Sequence, residues 1–399
     1  MELLPMVGGH FIREADGVEI IMGAKEQFEY SILEDYREGK KSRLEASIIL
    51  GKSERTTDRM LKKVFDKGLV GLKHGNIGKE PVNKATQTSR DKISELVKSK
   101  YFDFNMTHCR EMLIEHEEIK VSYQALRRLC HQIGCVKRKK KIRRQNKYHR
   151  DRMANEGTLM QMDGSHHDWN GKEKWCLIAI IDDATSEIPY AEFFKSEDTL
   201  NCLKVLENVI AGKGIPLAIY VDKAGWFGGT KRQEFSQFTR AAEELDINVI
   251  YANSPEAKGR IERAWQTFQD RLIPELRLVG IESMEAANMY LMQHFIPNYW
   301  NKRLTVMPQS VKSRYRTIPL NMDIAQHCCW KEFRQVRHDL TIHWNNRLYK
   351  IDNKLIGPIK GRKVEIRTYW NGDSMFFLGR IPLSLHPVTV PLKRHNVAI

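Results

Sequence analysis

The spacing of apolar and polar residues changes several times along the chain and predicts a different structure in each segment. In residues 24–70 and 91–136, apolar residues recur at the spacing of amphipathic helices. In residues 156–276, short apolar runs alternate with helical patterns, which predicts an α/β domain. Helical spacing continues to about Asn301, and alternating runs from Leu340 on predict a small β-barrel. The predicted fold is therefore multidomain, with N-terminal all-α units, a central α/β core and a C-terminal small β-barrel.

Each of the two N-terminal units has the pattern of a helix-turn-helix. In the first, an apolar helix ends near Gly51, and Ser53 is suited to cap the helix that follows. In the second, Ser122 is suited to cap a helix with Leu126 and Leu129 on its buried face. An ordinary helical hairpin remains the alternative for each unit. If they bind DNA, the expected contact residues are Arg55, Arg59, Gln124, Arg127 and Arg128.

The central segment predicts an RNase H-like core from the order of its elements, β-β-β-α-β-α-β-α. The nearly continuous apolar run at residues 174–182 is typical of a central buried strand. Asn371-Gly372, between alternating runs near the C-terminus, predicts a β-hairpin. The predicted segments are an N-terminal extension (1–23), a first helix-turn-helix (24–70), a linker (71–90), a second helix-turn-helix (91–136), a basic linker (137–155), the core (156–276), a helical extension (277–324) and a C-terminal β domain (325–399).

The charge of the chain indicates a polyanionic partner. It has 399 residues, a net charge of +15 and a pI near 9.4. Ten Lys or Arg residues lie between Lys137 and Arg152, with Asp151 the only acid among them. A basic tract can be only a solvated linker, but this one joins two folded segments and is expected to follow DNA phosphates. The further expected DNA contacts are Lys137, Arg138, Lys139, Lys140, Lys141, Arg143, Arg144, Lys258, Arg260 and Arg263.

Cysteine usage and hydropathy predict a cytoplasmic protein. The seven cysteines form no regular framework, which is typical of reduced, intracellular proteins. The first 22 residues lack the apolar run of a signal peptide, and no later run reaches the ~18 apolar residues of a membrane helix. Cys130 and Cys135 lack the His pair of a zinc finger, and without a Walker-type loop no ATP is implied.

Three carboxylates stand on local frames suited to holding metal ions. Asp163 and Asp222 each end an apolar strand-like run, and Glu262 lies in a helical segment 40 residues after Asp222. That segment carries an apolar stripe, predicted to be buried, of Ile261, Trp265, Phe268 and Leu272. This order is the signature of a DDE polynucleotidyl transferase, in which acids hold two Mg²⁺ or Mn²⁺ ions against a phosphodiester. The ordinary alternatives are strand-end aspartates that cap loops, and a surface Glu262 paired with Lys258.

Other acids and two histidines lie close to these positions in sequence. Glu256 is nearer the helix start, while Asp182 and Asp183 are expected to shape the turn after the second strand. Asp182 could also support a metal ion from behind. His166 and His167 are expected to be loop residues near DNA rather than metal ligands.

Three sequence runs resemble the integrase core of bacterial insertion-sequence transposases. They are MDGSHHDW at 162–169, IDDATS at 181–186 and SPEAKGRIER at 254–263, extended by QDRL at 269–272 and ELRL at 275–278. The chain is most similar to the ISNCY group within the retroviral integrase superfamily, and the resemblance covers most of its length. It implies that Asp163, Asp222 and Glu262 are the DDE triad. The chain departs from the group at Lys223-Ala224, where Lys-His is frequent, and at Glu80, where a basic element is common.

The expected protein is a transposase that binds the terminal inverted repeats of its element, frees a 3′-OH and joins that end to target DNA. Its expected partners are double-stranded DNA and other copies of itself, with Mg²⁺ or Mn²⁺ as cofactor, and neither a membrane nor ATP. A DNA-binding regulator with an inert RNase H-like domain is the rival, against which the intact triad argues. A structure-specific nuclease with the same core is a third interpretation, but such an enzyme would have no need for two helix-turn-helix units.

Overall fold

A computed structural model describes residues 11–15, 18–73, 85–135, 150–222, 237–251, 259–352 and 359–388. The chain divides into two compact units, Met1–Ser89 and Arg90–Ile399. No helix in these described ranges is both long and apolar enough to cross a membrane.

The first unit begins with a β-hairpin and continues as helices. Strands β1 (Phe11–Ala15) and β2 (Val18–Met22) pair antiparallel within the segment that the sequence analysis assigned to an N-terminal extension. Helices α1 (Ala24–Arg37), α2 (Arg43–Leu50) and α3 (Glu54–Lys67) follow.

Sequence-local signals set the boundaries of α2 and α3. Ser42 and Glu45 form a capping box at the start of α2, and Gly51 ends that helix with a positive φ of 61°. The Ser53 side chain accepts a hydrogen bond from the Thr56 N–H, which confirms it as the cap of α3. The two helices are therefore confirmed, whereas their use as a DNA-binding helix-turn-helix stays a prediction.

A second helical group comprises α4 (Gln87–Ser99), α5 (Met106–Glu115) and α6 (Tyr123–Gln132). Both ends of the predicted linker (71–90) are helical. A 3-10 helix at Gly68–Leu72 overlaps its first residues, and α4 begins before its last residues. Ser122 caps α6 through the Ala125 N–H, as expected. The buried residues of the three helices form one apolar cluster.

The central domain is a five-stranded sheet with helices on both faces. Its elements, in chain order, are β3 (Met160–Asp168), β4 (Lys174–Asp182), β5 (Tyr190–Phe194), α7 (Thr199–Lys213), β6 (Ala218–Val221), α8 (Gln237–Glu244), β7 (Asn248–Tyr251) and α9 (Gly259–Val279). The strand order is β5-β4-β3-β6-β7. Strand β4 pairs antiparallel with both β3 and β5, while β6 pairs parallel with both β3 and β7. The predicted order of elements is confirmed.

Strand β3 is longer than predicted. The sequence placed its end at Asp163 and a loop at His166 and His167, but the strand pairs with β4 as far as Asp168. The interruption by Gly164 hid the continuation, because cross-strand hydrogen bonds to residues 174–178 hold the backbone extended regardless of local preference. Asp163 is therefore a mid-strand residue.

Each face of the sheet has its own apolar core. One cluster fills the space between the sheet, α7 and α8. The other fills the space between the sheet, α9 and the helices after it, α10 (Met284–Tyr290) and a π-helix at Leu291–Trp300. Helix α11 (Asn301–Arg303) ends this run, close to the end at about Asn301 that the sequence predicted.

The C-terminal segment forms two small antiparallel sheets around one core. Their strands are β8 (Trp330–Gln335), β9 (Thr341–Trp344), β10 (Arg347–Ile351), β11 (Lys363–Thr368), β12 (Ser374–Leu378), β13 (Ile381–Leu383) and β14 (Leu385–Pro387). Asn371-Gly372 joins β11 and β12 as a hairpin, as predicted. Closure of the two sheets into a barrel stays a prediction.

Candidate active site

Helix α9 is fastened along β3 by a ladder of side-chain hydrogen bonds. Every second residue of β3 faces the helix. Successive ones of these residues bond helix residues that are four positions apart. The three contacts are Ile261 N to Gln161 Oε1 at 3.3 Å, Trp265 Nε1 to Asp163 Oδ2 at 2.9 Å, and Gln269 Nε2 to Ser165 Oγ at 3.3 Å. Two strand residues span ~6.6 Å and four helix residues ~6 Å, so the spacings match along both elements. The ladder fixes α9 parallel to β3.

Asp163 and Asp222 occupy equivalent positions on neighbouring parallel strands. The register pairs Met160 with Ile219 and Gln161 with Tyr220. Two residues further along each chain stand Asp163 and Asp222, the latter directly after the end of β6. Adjacent strands lie ~4.8 Å apart, so the two half-buried acids start from neighbouring backbone positions.

Glu262 lies on the first turn of α9, one turn before Trp265. The residues on either side of that turn are both fixed to β3, since Ile261 bonds Gln161 and Trp265 bonds Asp163. The Glu262 side chain is exposed, while Ile261, Trp265, Phe268 and Leu272 form the predicted buried stripe. Glu262 makes no ion pair with any described residue. Lys258 and Glu256 lie outside the described residues.

Asp182 shapes the turn after β4, as the sequence indicated. One carboxylate oxygen accepts from the N–H groups of Ala184 at 2.8 Å and Thr185 at 3.0 Å. The other accepts from the Gly157 N–H at 2.7 Å. Burial raises the pKa of the Asp182 carboxyl, and these backbone donors oppose the rise.

Asp183 has a role that the sequence did not reveal. Its carboxylate is fully buried and accepts hydrogen bonds from Gln161 Nε2 at 2.7 Å, Arg260 Nε at 2.8 Å and the Met153 N–H at 2.9 Å, and it also pairs with Arg150. It therefore ties the start of α9 to β3 through a second route. Because Arg260 is 77 residues away in the chain, only the fold brings the two together.

A polar cluster on the opposite side of β3 was also missed. The Glu197 carboxylate lies 3.8 Å from His166 Nε2, and these atoms and Cys176 Sγ all lie within 4.8 Å of one another. A Cβ at Gly164 would come within 2.4 Å of Glu197 Oε2, so the glycine makes room for this carboxylate. Burial raises the pKa of the Cys176 thiol to about 12, which disfavours the thiolate that a metal ion needs.

The expected DNA contacts fall into three groups. Those on α3 and α6 are exposed to solvent, and they are Arg55, Arg59, Gln124, Arg127 and Arg128. Arg263 is exposed on α9, whereas Arg260 is half-buried against Asp183. The basic residues from Lys137 to Arg144, and Lys258, lie outside the described residues.

Solved structures with detectable likeness to the chain include viral integrase structures. A chain of the simian T-cell lymphotropic virus intasome, in complex with PP2A regulatory subunit B56 gamma, is 16% identical with a TM-score of 0.34 and covers 75% of this chain and 99% of its own. The HTLV-2 integrase catalytic core domain in complex with magnesium is 19% identical with a TM-score of 0.30, covering 39% and 93%.

No family model matches the chain. A putative transposase, y4bF, of Sinorhizobium fredii (strain NBRC 101917 / NGR234) is 32% identical over 364 residues, covering 88% of this chain and 79% of that protein. The transposase for insertion sequence IS1202 of Streptococcus pneumoniae is 31% identical over 340 residues, covering 73% and 72%. With such identity over most of both proteins, the chain belongs to the transposases of insertion sequences.

Proposed function

We propose that this transposase binds the terminal inverted repeats of its element and catalyses metal-dependent DNA cleavage and strand transfer with Asp163, Asp222 and Glu262. One observation carries the proposal: Asp163 is in register with Asp222 and accepts a hydrogen bond from Trp265, one turn after Glu262. Three acids distant in sequence thus start from one small region of the fold.

The donor set suits a hard divalent cation. Carboxylate oxygens are the ligands that Mg²⁺ and Mn²⁺ prefer, and the three acids offer six of them. We propose two such ions, held by Asp163, Asp222 and Glu262. When bound, they supply Lewis-acid polarisation of the phosphoryl group and of the attacking and leaving oxygens.

The protein's own part is to hold the acids and the DNA in place. The Trp265 N–H fixes the orientation of the Asp163 carboxylate, and the ladder from Gln161 to Gln269 keeps Glu262 at a constant distance from β3. Because Glu262 is exposed and the two aspartates are half-buried, the acids lie where a DNA strand can approach.

The proposed reaction needs no covalent protein intermediate. Water first displaces the 3′ oxygen from a phosphodiester at the element end, which leaves a 3′-OH. That hydroxyl then attacks a target phosphodiester, so one P–O bond forms as another breaks and no ATP is required. Both steps use the same acids.

The test separates cleavage from binding. Asp163→Asn keeps the size of the side chain but removes the charge, so cleavage of a labelled terminal-repeat duplex with Mg²⁺ should fall by several orders of magnitude. A gel shift of the same duplex with Ca²⁺ should stay unchanged. Asp222→Asn should behave alike, and the double variant should be little worse, because the acids act as a unit. The matched control is Asp168→Asn, an exposed acid at the end of the same strand, which should cleave normally.

Two results would decide against the proposal. Undiminished cleavage by Asp163→Asn would refute the assigned acids. Specific binding without any cleavage by the parent chain, under Mg²⁺ or Mn²⁺, would favour the DNA-binding regulator with an inert core.

A further inference from the structure

A cavity of about 430 Å³ lies beside the first two turns of α9 and is lined by four arginines. Two belong to the chain that leads into β3, and two belong to the helix itself. They are Arg150, Arg152, Arg260 and Arg263. Ser186 and Thr267 contribute hydroxyl groups to the wall. We call this cavity the arginine pocket.

The arginine pocket is separate from the proposed cleavage site. Its helix residues Arg260, Arg263 and Thr267 form one stripe, at positions i, i+3 and i+7. At 100° per residue, Glu262 and Trp265 project roughly 150° around the helix from the centre of that stripe. Helix α9 therefore presents its acid on one flank and its arginines on another.

Positive charge exceeds negative charge in the described part of the pocket. Asp183, fully buried, pairs with Arg150 and with Arg260. Arg152 instead donates to neutral oxygens, including Ser186 Oγ at 2.7 Å and the Ala184 carbonyl at 3.3 Å. Arg263 is exposed and forms no ion pair with a described residue. Among the described residues, Arg152 and Arg263 thus form no direct ion pair with a carboxylate.

Burial and the charges of neighbouring arginines both make the charged form of Arg152 less favourable. Burial lowers the pKa of Arg152, and the neighbouring charges of Arg260 and Arg263 lower it further, while the carboxylates of Asp183 and Asp182 oppose part of the fall. An arginine nevertheless keeps its proton at any physiological pH, so the repulsion is not relieved by deprotonation. An anion between Arg152 and Arg263 would relieve it. The adjoining N-terminus of α9, a helix of 21 residues, adds further positive potential.

We propose that the arginine pocket binds a backbone phosphate of DNA, away from the phosphodiester that is cut. Planar guanidinium groups match the oxygens of a phosphate through paired hydrogen bonds, and the cavity has room for a phosphate but not for a base-paired helix. A strand that passes α9 would then be held at two points, at the acids and at the pocket. The inference rests on the proposed function in taking DNA as the ligand.

The test uses a pair of substitutions at one position. Thr267→Glu places a carboxylate among the arginines, whereas Thr267→Gln has nearly the same size without the charge. DNA affinity is measured against salt concentration on the full chain, with Ca²⁺ present. The slope of log K against log[salt] should be shallower by about 0.9 in Thr267→Glu, one phosphate contact, and unchanged in Thr267→Gln. Equal slopes in the two variants would overturn the proposal.

A second pair of variants controls for effects of misfolding on DNA binding. Arg263→Gln removes one pocket charge, and Arg277→Gln removes one from the same helix about 21 Å further along, where Asp103 already neutralises it. Only the first should make the slope shallower. As a direct probe, inorganic phosphate should raise the melting temperature of Thr267→Gln and leave that of Thr267→Glu unchanged. A rise of equal size in both would count against the pocket.

The two proposals can fail independently. Cleavage with Mg²⁺ together with equal slopes in the Thr267 pair would leave the proposed function standing and remove the pocket. A shallower salt slope in Thr267→Glu alone, in a protein whose parent chain never cleaves DNA, would support the pocket and refute the proposed function.

Discussion

At the scale of single residues, the Asp163–Trp265 hydrogen bond is the contact most closely tied to the proposed chemistry. Sequence placed Trp265 only in the buried stripe of a helix. In the folded protein its indole N–H also donates a hydrogen bond to Asp163, which lies on a strand 102 residues earlier in the chain. Tryptophan suits this position because it combines a large apolar ring with one polar atom at its edge.

Trp265→Phe should lower cleavage without lowering DNA binding. The phenyl ring keeps the contact with Phe268 but leaves Asp163 without this donor. A hydrogen bond to a charged group contributes about 1.5–3 kcal/mol, so a loss of cleavage rate of about tenfold or more is expected. Trp344→Phe is the matched control, because it removes an indole N–H that binds Glu332, in the C-terminal β domain. Equal losses of cleavage in both variants would show a general loss of stability instead.

Glu244 should make stability depend on acid pH. Burial raises the pKa of its carboxyl, but hydrogen bonds from His327, Lys331 and Arg240 outweigh this and bring the pKa from 4.5 to about 2. A lowered folded-state pKa contributes stability that is present above pH 4.5 and is lost as pH falls towards 2. These bonds join α8 to the start of β8.

The measurement is urea unfolding at pH 7 and at pH 3. Glu244→Gln should lower the midpoint at pH 7 and differ less from the parent at pH 3, where the parent has lost part of this contribution. Glu243→Gln, a neighbouring exposed acid without an ion pair in the described ranges, should leave both midpoints nearly unchanged. A Glu244→Gln deficit that is as large at pH 3 as at pH 7 would contradict the assignment.

At the scale of elements, α9 has two polar attachments besides its apolar stripe. Its first half is joined to β3 by the ladder, and its second half is joined to α5 by buried charges. Glu275 accepts from Arg271 Nε at 3.0 Å and from Tyr290 Oη at 2.9 Å, and its carboxylate is 3.0 Å from His108 Nε2. Arg271 also pairs with Glu111 at 2.6 Å. The second helical group is thereby fixed to the helix that carries Glu262.

Glu275→Gln should destabilise this attachment strongly. The substitution leaves the buried Arg271 with one carboxylate partner, Glu111, in place of two, so the cost should approach the about 3–5 kcal/mol of breaking a buried ion pair. Glu115→Gln breaks an exposed pair with Arg303 at the same interface and should cost at most about 1 kcal/mol. Chemical denaturation of both variants gives the comparison. Similar small losses would mean that the buried cluster contributes little.

At the scale of the whole molecule, a charge of +15 predicts strong, salt-sensitive attraction to DNA but carries no sequence information. Recognition of a particular DNA sequence by the helical units would depend on exposed side chains on their helices. Arg127 and Arg128 on α6 are exposed, as are Lys92 and Lys98 on α4 of the same helical group. The two pairs carry equal charge, which allows a matched comparison.

The double variant Arg127→Gln/Arg128→Gln should lose more affinity for terminal-repeat DNA than for an unrelated duplex. A lost base contact costs about 1–3 kcal/mol of discrimination, whereas a lost phosphate contact weakens binding to every sequence alike. Lys92→Gln/Lys98→Gln should lower both affinities by the same factor. Competition binding with the two duplexes measures the ratio. An unchanged ratio in the α6 variant would remove α6 as a recognition helix.

Much of the fold could be predicted because its signals are local. Ser42, Ser53 and Ser122 cap helices from within one turn, and the strands at residues 174–182 and 248–251 match their apolar runs. The family was readable for the same reason, since a motif is a local string, whereas the assignment of the three acids stays a prediction. The order of strands and helices then predicted the type of core.

Tertiary structure decided the features that depend on residues distant in the chain. The extension of β3 past Gly164 depends on pairing with β4, and the burial of Asp183 depends on Arg260, which no local pattern links to it. The register of Asp163 with Asp222, the Trp265 bond and the arginine pocket likewise arise only when β6 and α9 pack against β3. Sequence determined which residues could do chemistry, because residue type and local spacing are written in it. Packing determined which of them meet, because contacts across 60 to 100 residues are selected by the whole core and not by neighbours.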